Sequence, residues 1–203
     1  MGFELAIFQV LTGIVCYVTQ AGHVMTVALD QPIFGVYTPI LLTISQLIGT
    51  LISVPMLEHI EWRYLTIIGG FALAVFNAIT GVFFYLFDTL GPNYQEMCMA
   101  ISMISIMAFM FTFGISVGSS VWPYVGYMMP GNALLISQFI NWLLSGAGIV
   151  CFSLNTYYYT SNNPFIIIFV FCGITFFLST INAFTMIDIK GLSVRRVQLE
   201  LAK

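Results

Sequence analysis

From Met97 to Ile187 the sequence contains no Asp, Glu, Lys or Arg. Soluble domains, about a quarter of whose residues are charged, do not read this way. Over all 203 residues 6% are charged and 60% are hydrophobic, and the mean hydropathy is +1.00. Lipid rather than water is therefore the expected solvent, and the expected fold class is an all-α, polytopic membrane protein.

Short polar clusters divide the chain into apolar runs, each near the ~20 residues a helix needs to cross the hydrocarbon core. Six spans follow: Leu5 to Leu29, Ile33 to Leu57, Tyr64 to Phe87, Met97 to Met129, Asn132 to Leu154, and Phe165 to Ile187. The fourth is too long for one straight crossing, and Gly114, Gly118 and Pro123 mark where it can bend or end. Residues 1–187 are thus read as a six-helix transmembrane domain, and 188–203 as a polar C-terminal tail.

Six crossings put the N-terminus, the Glu58 to Arg63 loop, the Pro130-Gly131 turn and the tail on one side. All five basic residues, Arg63, Lys190, Arg195, Arg196 and Lys203, fall on that side, while Asp30, Asp88 and Glu96 fall on the other. The positive-inside rule then directs both termini to the cytosol, or to the matrix if the membrane is the mitochondrial inner membrane. An odd number of helices would scatter the basic residues. The N-terminal MGFELA has no basic leader and no Ser or Thr at the myristoylation position, so the first apolar segment is expected to be retained.

Cys16, Cys98, Cys151 and Cys172 are dispersed and without ligand-like spacing, so they read as small core residues. A slightly acidic balance with no basic stripe argues against nucleic-acid binding. The histidines are His23 and His59, and no nucleophile elbow, zinc-protease helix, phosphate loop or dinucleotide loop is present. The chain is expected not to be an enzyme, with no catalytic residue, metal or cofactor.

The polar side chains within the spans need an account: Gln9, Thr12, Gln20, His23, Ser45, Gln46, Asn77, Ser137, Gln138, Asn141 and Asn182. In lipid such groups turn inward, to bond a neighbouring helix or to line a cavity. Taken singly, each amide reads first as a bond between helices, and His23 as an imidazole at the interface. Met97, Met99, Met103, Met107 and Met110 read as adaptable packing. Gly114 and Gly118, and more loosely Ser145 to Gly148, permit close helix approach. Leu192 to Lys203 has the pattern of a short amphipathic helix for the membrane surface or a partner protein.

FQVLTGI, Phe8 to Ile14, resembles the FQQLSGIN of the seventh helix of the sugar porters in the major facilitator superfamily. Further landmarks follow in order. Thr50 to Arg63 is similar to the end of the family's eighth helix and its charged loop. Trp122 matches the Trp of the tenth-helix GPxPW, Asn141-Trp142 the eleventh-helix SNW, and IDIKGLS, Ile187 to Ser193, the PETKGLS after the twelfth. The chain thus resembles the C-terminal six-helix half of a hexose transporter, in a degenerate form, and its orientation agrees with the charge distribution.

The resemblance implies a sugar-binding set of Gln9, Gln46, Trp122 and Asn141. It also shows departures. Val10 and Val15 stand where the family has amides, and a site built on amide-to-hydroxyl bonds loses discrimination without them. Ser119 and Val121 replace the prolines of GPxPW, Glu61-Trp62 replaces Gly-Arg, and the GYMMPGNA loop lacks the family's Glu and Arg. Two functions follow. The first is a structural or accessory subunit, with transport lost, in a larger membrane complex such as a respiratory assembly. The alternative is a half-transporter that moves a hexose or small polar solute when paired with itself or with a partner carrying the other half. Beyond the lipid bilayer, the expected partners are other membrane subunits in the first case and a sugar-like solute in the second.

Overall fold

A computed structural model of the protein describes residues 2–29, 33–129, 131–158 and 165–189. Among the described residues there are eight α-helices: α1 (Gly2–Leu11), α2 (Ile14–Leu29), α3 (Ile33–His59), α4 (Trp62–Thr89), α5 (Pro92–Ile115), α6 (Val117–Met128), α7 (Gly131–Tyr158) and α8 (Phe165–Thr185). No strand occurs among the described residues. Among the described residues six segments are long and apolar enough to cross a membrane: Gly2–Thr19, Gly35–His59, Trp62–Thr89, Asn93–Met128, Gly131–Val150 and Ile166–Thr185. The tail 190–203, with its predicted amphipathic helix, lies outside the described residues, as do the side chains of Gln20, His23 and Cys151.

The first predicted span is not one helix but two. It breaks at Thr12 and Gly13, and Gly13 has φ +89°. That left-handed conformation costs a residue with a Cβ about 1–2 kcal/mol, which explains a glycine where the chain reverses its helical sense. The break expected in the fourth span falls at Ser116, between Gly114 and Gly118, where φ is −110° and ψ −96°. Pro123 sits inside α6 and does not end it.

α4 lies against α5, α8 and α6, α3 packs on α5 and α2, and α1 is flanked by α6 and α7. The core joins Leu5, Phe8, Tyr17, Leu73, Phe109, Val121 and Tyr124, all buried, across five of these helices. Met99 and Met110 are buried in it, and Met103 and Met107 pack against it. Met97 is exposed. Cys16 and Cys98 are buried, and half-buried Cys172 directs its thiol at the carbonyl of Ala74 (3.3 Å).

Close approach of α3 and α5 is built on glycine. A Cβ on Gly49 would strike the Phe111 carbonyl, and one on Gly114 the Gln46 carbonyl at 2.5 Å. Gly118 instead faces Phe113 of its own segment. Without a hydrophobic drive between helices in lipid, such backbone contact supplies dispersion that bulkier residues prevent. The small residues of α7 serve no such seam here, since a Cβ on Gly146 or Gly148 would meet nothing within 4 Å.

Side-chain contacts gather several helix ends at one end of the bundle. A Cβ on Gly2 would run into Met129, and the Trp62 and Tyr127 rings meet edge to face at 5.2 Å. Arg63 Nη2 donates to the Ala183 carbonyl (3.0 Å), and the Tyr124 hydroxyl binds the backbone of Ile187. Trp62, standing where the resemblance expects Arg, also donates its indole N–H to the Leu57 carbonyl (3.3 Å).

Candidate functional site

A broken helix in a membrane needs new partners for the backbone groups it frees. At the first break the Gly13 N–H turns back to the Val10 carbonyl (3.2 Å), and the Gly13 carbonyl accepts from the N–H groups of Cys16 (3.0 Å) and Tyr17 (3.3 Å). Cys16 is thereby taken from its regular acceptor, the Thr12 carbonyl. Asn77 of α4, fully buried, donates its side-chain amide to that carbonyl at 3.1 Å. At the second break the Ser116 hydroxyl donates to the Thr112 carbonyl (2.6 Å), and the Ser120 hydroxyl donates to the Ser116 carbonyl (2.8 Å) and lies 2.6 Å from that of Thr66.

The two interrupted spans hold corresponding places, each the first of three. In membrane transporters, interrupted helices of this kind supply unwound backbone to solute sites.

Gln9 lies one turn before the first break, on α1, and Asn141 lies on α7. The structure brings them together: Asn141 Nδ2 donates to the Ala6 carbonyl at 2.7 Å and to Gln9 Oε1 at 3.3 Å. Both residues are half-buried. Thr12 adds a bond from its hydroxyl to the Gln9 carbonyl at 2.8 Å. Together these form a neutral array of hydrogen-bonding groups beside the broken helix, chemistry that suits hydroxyl groups.

Gln46 and Trp122 are half-buried on α3 and α6. The Gln46 carbonyl accepts from the Thr50 hydroxyl (3.0 Å) along the seam with α5. α6 packs on α1, so Trp122 is carried on a helix adjoining that of Gln9. Trp142, next to Asn141, is 73% exposed and points away from the bundle. Val10 is buried, and Val15 packs against the apolar core. These two positions serve packing here.

One feature of the site escaped the sequence reading. Asn77 was legible as a polar residue in an apolar span, but its pairing with the Tyr17 hydroxyl (2.8 Å) had no signal, since the two are sixty positions apart. Among the described residues no three His, Cys, Asp or Glu side chains come together as a metal site would require.

The family model described as sugar (and other) transporter matches residues 1–201. No curated relative matches the chain. The match takes in the broken first span, the Gln9 and Asn141 pair and the end of the bundle around Arg63, and the chain belongs to the sugar (and other) transporter family.

Proposed function

We propose that the protein is a non-enzymatic transport module that carries a hexose or a similar small polar solute, with Gln9 and Asn141 as its first contacts. The observation that carries this reading is the hydrogen-bonded pair beside a helix broken at Thr12 and Gly13. Neutral amides can exchange their mutual bond for bonds to solute hydroxyls at little net cost, because each partner stays satisfied. Gln46 and Trp122 serve as further contacts when the helices move. In this reading the end of the bundle holding Gly2, Arg63 and Ile187 faces the cytosol, following the basic residues.

Transport by alternating access needs a second bundle to close on the site. α3 and α7 are the helices available to meet it, since both carry many exposed large apolar side chains, among them Leu47 and Leu51 on α3 and Leu135 and Phe139 on α7. The test is uptake of radiolabelled D-glucose into vesicles containing the full chain with its co-expressed membrane partners. Saturable uptake that falls at least tenfold in both Gln9→Ala and Asn141→Ala supports the proposal. Saturable uptake unchanged in both variants removes the site.

The bare faces of α3 and α7 equally favour a second reading, an accessory subunit packed into a larger membrane assembly such as a respiratory complex. Here Asn141 acts only as a fastening between α7 and α1. Native gels of the source membrane separate the two. A large complex of fixed stoichiometry that is lost on deletion of the chain favours the subunit, and its normal assembly without the chain eliminates it.

A further inference from the structure

A single line of hydrogen bonds runs from the buried core to Gln9. Tyr17 of α2 donates its hydroxyl to Asn77 Oδ1 (2.8 Å), Asn77 Nδ2 donates to the Thr12 carbonyl (3.1 Å), and the Thr12 hydroxyl donates to the Gln9 carbonyl (2.8 Å). Asn141 completes it from α7 on Gln9 Oε1. The first part is also a closed ring, because the Tyr17 N–H donates to the Gly13 carbonyl (3.3 Å) while its side chain, through Asn77, holds Thr12. The ring encircles the break.

Each member is placed so that the others depend on it. Asn77 is fully buried and Tyr17 nearly so, and the Tyr17 ring lies against Phe109 of α5 at 4.8 Å between centroids. In that apolar setting an unpaired amide or hydroxyl is expensive, so the bonds of the ring support one another. The Thr12 carbonyl has lost its helical donor, and Asn77 is the group that reaches it. Were the break to close into continuous helix, the Cys16 N–H would share this same carbonyl and weaken its bond to Asn77 Nδ2. Tyr17 and Asn77 thereby favour the broken form.

We infer that Tyr17 and Asn77 are positioning residues for the solute site: they hold the first span open at Thr12 and Gly13 and so set the place of Gln9. The kinetic part of this inference rests on the transport reading, and the structural part stands without it. Tyr17 matters through its hydroxyl, while its ring is core packing that phenylalanine would preserve.

The experiment uses the full chain with its co-expressed partners in lipid vesicles and compares wild type, Tyr17→Phe and Asn77→Ala. Hydrogen–deuterium exchange over residues 10–17 reports the break itself, and D-glucose uptake reports the site. The expected result is exchange over 10–17 altered at least fivefold in both variants and unaltered in α8. The half-saturating glucose concentration should rise about fivefold in Tyr17→Phe with the maximal rate within twofold. In the Gln9→Ala background, Tyr17→Phe should add no further change, because the two residues act on one contact. Unaltered exchange in both variants overturns the inference, as does a Tyr17→Phe effect that is fully additive with Gln9→Ala. If wild type takes up no glucose, the transport reading has failed for that solute, and the exchange result alone decides for or against the ring.

Discussion

The Tyr124 hydroxyl grips Ile187 twice, donating to its carbonyl at 2.8 Å and accepting from its N–H at 3.0 Å. Tyr124 is fully buried in α6, and Ile187 follows the end of α8, so this one side chain satisfies backbone groups that the helix end leaves open. Tyr124→Phe keeps the ring and orphans both groups. The contact is part-buried, so the loss is near that of an average hydrogen bond, about 0.5–1.5 kcal/mol. The expected outcome is a lower thermal unfolding midpoint in detergent, with faster amide exchange at 185–189; an unchanged midpoint and unchanged exchange would show the contact to be dispensable.

Gly13 invites a test of backbone conformation alone. Alanine there must adopt φ near +89°, and its Cβ would lie 3.1 Å from the Phe171 ring. Strain of about 1–2 kcal/mol follows, before any shift of Phe171. The Gly13→Ala variant is expected to be less stable by at least that amount, measured by thermal unfolding. Equal stability would mean that the first span can straighten without penalty.

Gly114 tests the seam between α3 and α5. A side chain would have to displace the Gln46 carbonyl and the Thr50 N–H, which lie 2.5 and 3.0 Å from the Cβ position. These are backbone atoms and cannot rotate aside. Overpacking of this kind costs ~1–3 kcal/mol or more, so Gly114→Val should aggregate or lose its sharp peak in size exclusion. Gly146→Ala, on the open face of α7, should behave as wild type.

Asn141 and Gln9 differ in what each would lose. Asn141→Ala removes the 2.7 Å bond to the Ala6 carbonyl and the 3.3 Å bond to Gln9, whereas Gln9→Ala removes only the longer one. Asn141→Ala should therefore destabilise by about 0.5–1.5 kcal/mol, near the average for a hydrogen bond, and Gln9→Ala by less. If both nonetheless abolish uptake alike, the pair works on the solute; if uptake follows stability, the pair is a fastening.

The charge pattern makes a prediction about sides. Cysteines introduced at Glu58 and Glu96, both exposed, should react with a membrane-impermeant maleimide from opposite faces, with the Glu58 position cytosolic. Labelling of both from one face would refute the six-crossing topology.

Much of this was legible in the residues because the bilayer leaves a chain few choices. Six crossings, helices and membrane placement follow from the length of the apolar runs, since a segment without water must satisfy its own backbone. The order of FQVLTGI, Trp122, Asn141-Trp142 and IDIKGLS carried the family as well. What only the tertiary structure decided is where polar groups meet. The break at Gly13 is invisible to hydropathy, because Thr12 and Gly13 barely interrupt an apolar run, and it holds when Asn77, brought from α4, takes the freed carbonyl. The long fourth span shows the same division: its length required a bend, but Gly114, Gly118 and Pro123 were all candidates. The bend settled at Ser116, where the hydroxyls of Ser116 and Ser120 could bond the backbone beside Thr66 of α4. Local pattern determines whether a segment enters the membrane. Which carbonyl a side chain reaches is set by neighbours far away in sequence.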